Sequence, residues 1–490
     1  MRGASPAPKQ IARAAIIGNK KIFWLGLGAI LAASAALRLR GVASDSIWLD
    51  EAVSWSQASQ GFWVTLRAAA ATNDAPLHNI LLHFTILFLG DGEFALRLPS
   101  VVLGVAGVAA IYWVGSLIDG PPVGYLSAAL LGLSTFHIYY SQEARDYALL
   151  ALTATLFAGA TIRALGSDRR GWHGASTVAA ILLLYSHPYG LFLWFSIAIA
   201  VIASARLRRD PDQTTLARWA IWQAVPILAY LPWAGFLASR YVEIAIHGFW
   251  IRKPDAHALI SIVVSLASGR LMALMLAGGA VLGLFAPARP LEGSAEGPRP
   301  AKGHFDLLRV VLLAWPFGPL LLGLTVSLIS QPILWDRYLI CSLPGWLILA
   351  SWGFCRLGRI WGSWVLAAVV AAALGNLYYY EPHHRDDVRG AVAAYVGQAV
   401  SADCVFMYRD YLAVPVLYYL REPPPCFRPS KTAADIRPWE FASPRAWLFL
   451  GFINADERRA VMDSLQAHGW QTHTIAKVPG VELLVAESAK

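Results

Sequence analysis

The sequence predicts a polytopic α-helical membrane protein of about eleven spans, followed by a small C-terminal α/β domain. Of its 490 residues, 57% are hydrophobic and only 14% are charged. Apolar runs of about 17 to 25 residues, the length that crosses a bilayer, recur between residues 22 and 379. Many of the twenty Trp lie near the ends of these runs. An amphipathic ring suits the headgroup region, where one end is apolar and the other wet. From about residue 380 the runs give way to alternating and turn-rich segments.

The first run, 22–37, follows Arg2, Lys9, Arg13, Lys20 and Lys21. No small-residue cleavage site follows it and further spans do, so it reads as an uncleaved span rather than a signal peptide. The predicted spans are 22–38, 98–118, 122–139, 147–165, 173–187, 189–205, 216–237, 258–286, 307–330, 338–355 and 360–379. The short segment 78–90 decides the topology. If it does not cross, the N-terminus, Arg163/Arg169/Arg170, Arg206/Arg208/Arg209, Arg289/Arg299/Lys302 and Arg356/Arg359 all fall inside, as Lys and Arg in short loops prefer. If it crosses, every one of those later loops falls outside. The sequence therefore predicts the N-terminus in, the C-terminal domain out, and 78–90 as a re-entrant or interfacial helix in a first outer loop, 39–96.

That assignment gathers the unusual polar clusters on the outer face: Asp50-Glu51, Asn73-Asp74-Ala-Pro-Leu-His78, Ser141-Gln-Glu-Ala-Arg-Asp-Tyr147, Ser186-His-Pro-Tyr-Gly190, the 238–257 loop and Trp335-Asp-Arg-Tyr338. The inner loops hold mostly Gly, Pro, Ala and Arg, with no phosphate-binding glycine loop. A cytosolic nucleotide-using enzyme would need the reverse. The net charge of +9 sits in short inter-span loops as orientation signal, without a basic groove interleaved with aromatics, so nucleic acid is not a predicted partner.

Residues 380–490 read as an outer α/β domain, large enough for its own core. The predicted elements are a helix near 387–399, strand 404–408, helix 411–420, strand 446–451, helix 455–468, and strands near 471–477 and 481–486. Cys341 and Cys355 fall in an apolar segment as plain core residues. Cys404 and Cys426 are placed to form a disulfide if the domain is exported.

Each polar cluster has a structural reading beside a chemical one. Asp50-Glu51 fits a solvated turn or the cap of an interfacial helix starting at Ala52. Two carboxylates beside a bilayer equally suit a polar site. Glu143, Arg145 and Asp146, three ionisable groups within four positions at a membrane edge, need mutual neutralisation or water, and a polar cavity supplies both. Pro76 suits the first turn of a helix, where His78 is a metal ligand, a base or a donor to a carbonyl. His187 precedes Pro188, which ends a helix. Arg337 suits bidentate phosphate binding or snorkelling and a pair with Asp336, with Tyr338 beside it. Arg240, Arg252 and Lys253 add cations on that face. No Ser-His-Asp order, His-Glu-x-x-His or Cys-x-x-Cys pattern is present. Asp50 and Glu143 with a histidine offer a divalent metal suitable ligands, although the spacing does not demand one.

The ordered set Trp48-Leu-Asp50-Glu51, Asp74-x-Pro-Leu-His78, Glu93-x-x-x-Arg97-Leu-Pro-Ser100, Ser141-x-Glu-Ala-Arg145 and Arg337-Tyr338-Leu resembles the GT-C membrane glycosyltransferases of family 39, the protein-mannosyltransferase-like group. Tyr378-Tyr-Tyr-x-Pro382 and Arg385–Arg389 resemble that group's passage into its C-terminal domain. The resemblance spans nearly the whole chain. It implies transfer of a sugar from a polyprenyl-phosphate donor to an envelope glycan or glycolipid acceptor at the outer face of the cytoplasmic membrane. Asp50 would be the general base, and Glu51 would position the acceptor or tune Asp50. Arg337, with Arg145 second, would hold the donor phosphate. Glu143, Tyr338, Asp74, His78 and His187 would complete the substrate site.

Ala75 stands where many relatives have a second proline, and His78 and Glu143-Ala-Arg145 weaken a metal role. Lipopolysaccharide-core uronosyltransferases and aminoarabinose transferases belong to the same broad group, as do protein O-mannosyltransferases. A transporter or lipid flippase is the competing class, but it would place ionisable residues near the midplane of paired halves. A non-catalytic scaffold would make the C-terminal domain its working part.

Overall fold

The computed structural model describes residues 8–72, 75–166, 169–208, 213–248, 250–285, 302–380, 386–400, 402–441 and 443–488. The chain divides into two units. The first comprises 1–40, 69–78 and 98–380, and the second comprises 41–68, 79–97 and 381–490.

Among its described residues the first unit is built of helices and the connections between them. Glu93–Asp119, Tyr147–Leu165, Leu216–Glu243, Leu308–Ile329 and Ile360–Tyr378 are each long and apolar enough to cross a membrane. Ala256–Leu266 and Arg270–Phe285 make a sixth if taken together, although they are bent by 84°. Of the other predicted spans, 22–38 lies in the helix Pro8–Leu39 and 189–205 in Tyr189–Arg208, 173–187 corresponds to the 15-residue helix Arg170–Leu184, and 122–139 and 338–355 are broken. Pro76–Leu89, with 14 residues, extends only about 21 Å, short of a bilayer core.

Hydropathy runs smoothly across three breaks that the structure places inside predicted spans. In 122–139 the helix Pro121–Leu133 stops at Ser134, which is extended and caps Thr135–Ser141 by accepting from the His137 N–H. In 258–286 the bend falls at Ser268 and Gly269, with φ of 64° and 139°. Ser268 Oγ bonds Ser134 Oγ and the Phe136 N–H, both at 3.2 Å, so one break is tied to the other. In 338–355 a 3₁₀ turn, Arg337–Cys341, precedes Leu343–Arg356. Conversely, 238–247, expected as loop, continues the helix Gln213–His247. Arg240 and Glu243 pair there one turn apart, so polar residues that resemble a loop belong to a helix. Close packing elsewhere needs small residues. A Cβ at Gly353 would lie 1.9 Å from the Gly279 carbonyl oxygen.

The second unit is built on a five-stranded sheet of β1 (Cys404–Tyr408), β2 (Cys426–Ser430), β3 (Arg445–Gly451), β4 (Trp470–Val478) and β5 (Val481–Ser488). Its order is β2-β1-β3-β5-β4. β1 is parallel to β2 and β3, and the pairs β3–β5 and β4–β5 are antiparallel. Alternation along the strands feeds two cores. Val405, Met407, Trp447 and Phe449 pack with Val388, Val392 and Val416 from helices Val388–Val396 and Ala413–Leu420. Phe406, Leu448 and Leu450 pack with Val461 and Leu465 of Ala455–Ala467. β2 has no counterpart among the predicted strands. Its Cys-Phe-Arg-Pro-Ser sequence carries a proline, which strands tolerate only at an edge, and β2 is the edge. The Cys404–Cys426 disulfide joins the paired first residues of β1 and β2. Cys341 and Cys355 are free thiols.

Candidate active site

Asp50 and Glu51 occupy the first turn of helix Leu49–Ala58, which starts three residues earlier than the Ala52 expected. Acidic residues there favour the positive end of the helix dipole. Their environments differ. Asp50 is half-buried, whereas Glu51 is fully buried and bonded through both oxygens to Arg97, at 2.8 and 2.7 Å. The other N–H groups of Arg97 donate to the carbonyls of Val42, Asp45 and Ser46 at 2.8–3.1 Å. A guanidinium has five donors, and these bonds use all of them. A buried ion pair survives when its remaining polar groups are satisfied in this way. Arg97 thus fixes both the helix that carries Asp50 and the chain leading into it.

Glu93, one helical turn before Arg97, holds the C-terminal segment of the same unit. It accepts from Arg389 at 2.8 Å and from the Tyr419 hydroxyl. That hydroxyl also accepts from the Ile47 N–H at 2.7 Å and from Ser46 Oγ at 3.1 Å. Burial and the bond to Glu93 push the Tyr419 phenol above its usual value, so it remains a donor. Asp91 binds Trp55 Nε1 at 3.0 Å and the Arg421 guanidinium. Burial raises its carboxyl, but the Arg421 and Trp55 bonds outweigh that and hold it below the usual range. The Asp50 loop and the C-terminal domain are therefore one bonded assembly.

Within the first unit, a cavity of about 780 Å³ is lined mainly by apolar side chains, with Arg145, Asp146, His187, Arg240 and Tyr338 among its polar groups. Buried Tyr147 lies beside several of these groups, its ring centroid 6.3 Å from that of His187. The guanidinium carbon of Arg145 lies 6.0 Å from its ring centroid and that of Arg337 lies 5.7 Å away, in cation–π range. Arg337 also lies 5.6 Å from the Tyr338 and Trp250 rings. The His187 ring is 4.9 Å from that of Tyr338. Its Nδ1 accepts from the Tyr189 N–H at 3.0 Å, which puts the neutral ring's proton on Nε2. Asp336 caps the 3₁₀ turn, accepting from the Arg337 N–H and from Ser265 Oγ.

The Ser141-to-Arg145 segment is held by Arg38, a fully buried residue at the end of helix Pro8–Leu39. Its guanidinium reaches Ser141 Oγ, His137 Nδ1, and the carbonyls of Ser34, Leu131 and Gly132. Gln142 donates to the carbonyls of Arg38 and Arg40, and Ser100 Oγ donates to that of Arg145. An arginine at the end of a span reads as a snorkelling residue, so its sequence position hides this role. Glu143 and His78 are buried, at 1% and 2% exposure. Asp74 and Arg385 lie outside the described residues. Among the described residues no group of three or more His, Cys, Asp or Glu side chains is gathered to hold a metal.

This combination of a helical membrane unit and a second unit with a small C-terminal sheet is the GT-C fold of membrane glycosyltransferases. Residues 73–234, about a third of the chain, match the family model described as dolichyl-phosphate-mannose-protein mannosyltransferase. The apo crystal structure of ArnT from Cupriavidus metallidurans is similar, with TM-score 0.66, 15% identity, and coverage of 96% of this chain and 98% of that one. The same protein bound to undecaprenyl phosphate gives TM-score 0.61 at 15% identity, over 95% and 98% of the two chains. The apo oligosaccharyltransferase of Archaeoglobus fulgidus gives TM-score 0.55 at 11% identity, over 92% of this chain and 69% of that one. No curated protein sequence matches the chain.

Proposed function

We propose that this protein is a membrane glycosyltransferase that moves a sugar from a polyprenyl-phosphate donor to an envelope glycan or glycolipid. The supporting observation is the mainly apolar cavity whose lining includes Arg145, Asp146, His187, Arg240 and Tyr338, with Arg337 5.7 Å from the Tyr147 ring centroid. An isoprenoid chain needs an apolar channel, and its phosphate needs cations at one end. The ArnT structure of this fold that holds undecaprenyl phosphate supports the same donor class.

In this reading Asp50 takes the proton of the acceptor hydroxyl as its oxygen attacks the anomeric carbon. The bond from that carbon to the donor phosphate oxygen breaks, and the polyprenyl phosphate leaves with the electron pair. Arg337 and Arg145 stabilise the charge that grows on the leaving phosphate, while His187 Nε2–H and Tyr338 supply neutral donors. Direct displacement inverts the anomeric centre. Glu51, committed to Arg97, positions Asp50 rather than exchanging a proton. Residues 1–379 form the membrane domain, and the chemistry and residues 380–490 lie outside the cytoplasmic membrane. Loop charge supports this side, and so does the Cys404–Cys426 disulfide, a bond of oxidising compartments.

The test is transfer in nanodiscs from a labelled polyprenyl-phospho-sugar to extracted envelope lipid. Transfer that depends on the lipid-linked donor is expected. Flipping of lipid across the bilayer without transfer from any lipid-linked donor would contradict the reading.

A further inference from the structure

The mechanism gives the C-terminal sheet no ligand of its own, yet its topology provides a place for one. β1 lies between its parallel neighbours β2 and β3. After β1 the chain passes to one face of the sheet through Ala413–Leu420, whose Val416 joins the core with Val405 and Met407. After β3 it passes to the opposite face through Ala455–Ala467, whose Val461 packs with Phe406 and Leu448. The two connections part at the carboxyl ends of β1 and β3. Open α/β sheets bind ligands at such a switch point.

The residues that emerge there suit a sugar. Arg409 follows β1 and donates to Glu457 of the helix after β3 at 2.6 Å. Asp410, 38% exposed, lies 4.0 Å from Lys431 beyond β2. Tyr411 and Phe452, one from each diverging connection, stand with ring centroids 5.6 Å apart and are 37% and 44% exposed. Phe452 holds φ at 55°, a costly conformation for a bulky residue. Such strain persists where the surrounding structure has a use for it, and here it displays the ring beside charged groups. A single exposed aromatic would need no explanation. Two from different connections, beside the carboxylates of Asp410 and Glu457 and the cations Arg409 and Lys431, match the two sides of a pyranose. Its C–H face packs on a ring and its hydroxyls bond charged groups.

We propose that this edge, formed by Arg409, Asp410, Tyr411, Lys431 and Phe452, binds a sugar ring of the acceptor glycan. The proposal rests on the glycan-acceptor reading above and gives the C-terminal domain the task of holding acceptor.

The test uses the full chain in nanodiscs and saturation-transfer NMR with the methyl pyranosides of mannose, galactose, glucose, N-acetylglucosamine and galacturonic acid. At least one glycoside should receive saturation from the wild type and from Asp50→Asn, and lose it with Tyr411→Ala/Phe452→Ala. In transfer assays the double variant should raise the acceptor KM about tenfold, the effect of one lost ring contact, with kcat at saturating acceptor unchanged. If the double variant fails to fold, Asp410→Ala serves instead, with weakened binding expected. No binding to any glycoside, or binding that persists in the variants, would overturn the proposal. Glycoside binding without sugar transfer would sink the transferase reading alone, and transfer with unaltered acceptor KM would sink this subsite alone.

Discussion

Arg97 grips Glu51 through two bonds, at 2.8 and 2.7 Å, and neither side chain is more than 1% exposed. Of the two adjacent acids, one is thereby locked into the scaffold and the other is left half-buried in the first turn of the same helix. The proposed division of labour between Asp50 and Glu51 rests on that difference. Removing either partner of the pair strands a charge in the protein interior, which costs about 3–5 kcal/mol. Glu51→Ala and Arg97→Ala should each lower the thermal midpoint strongly, and the double variant should lose less than the sum. Thermal unfolding of all three in one detergent checks this. Additive losses would show that the two residues act separately.

The two cations beside Tyr147 should act on the donor. Loss of a charge-assisted bond to phosphate is worth about 1.5–3 kcal/mol, roughly 10- to 100-fold. Arg337→Ala and Arg145→Ala should lose activity on that scale, with Arg337→Lys intermediate because an ammonium lacks the planar fork. Steady-state kinetics with varied donor at fixed acceptor reads the effect, and an unchanged kcat/KM for donor would remove these residues from the phosphate site.

The Cys404–Cys426 link closes a loop of 22 residues between neighbouring strands. A loop of that size stabilises by about 2–4 kcal/mol when cross-linked. Cys404→Ser/Cys426→Ser should lower the melting temperature of the C-terminal domain, and reductant should do the same to the wild type only. Equal melting with and without reductant would contradict the bond.

Glu482 on β5 binds Arg458 of helix Ala455–Ala467 through two bonds of 2.7 Å. The Arg458 bond holds the Glu482 carboxyl below its ordinary 4.5 despite burial. A depressed carboxyl contributes stability that is fully present above the unfolded value and is lost as pH falls through the folded one. The wild type should therefore lose stability below about pH 4.5 more steeply than Glu482→Gln. Thermal midpoints from pH 7 to 3 measure the difference, and parallel curves would contradict it.

The helical membrane class, most strand positions and the cysteine pair are legible in sequence, because apolar length and alternation are local properties. The breaks at Ser134 and at Ser268-Gly269 are not, because their flanks are equally apolar and the two are fixed by a bond to each other. β2 is not legible either, because a proline-bearing strand exists there only as the edge partner of β1. The candidate acids, cations and histidine stand out as ionisable residues beside apolar runs. That Arg97 is spent on Glu51, that Arg38 anchors Ser141, and that two arginines come within 6.0 Å of the Tyr147 ring centroid depend on contacts made only after folding.

The central claim is that Asp50 is the base of a lipid-linked sugar transfer, and Asp50→Asn tests it most directly. In nanodiscs with a polyprenyl-phospho-sugar and envelope lipid, the variant should keep the wild-type melting temperature and donor binding. Its kcat should fall by about 10²–10⁴, the usual contribution of a general base. Full transfer activity in folded Asp50→Asn would contradict the account.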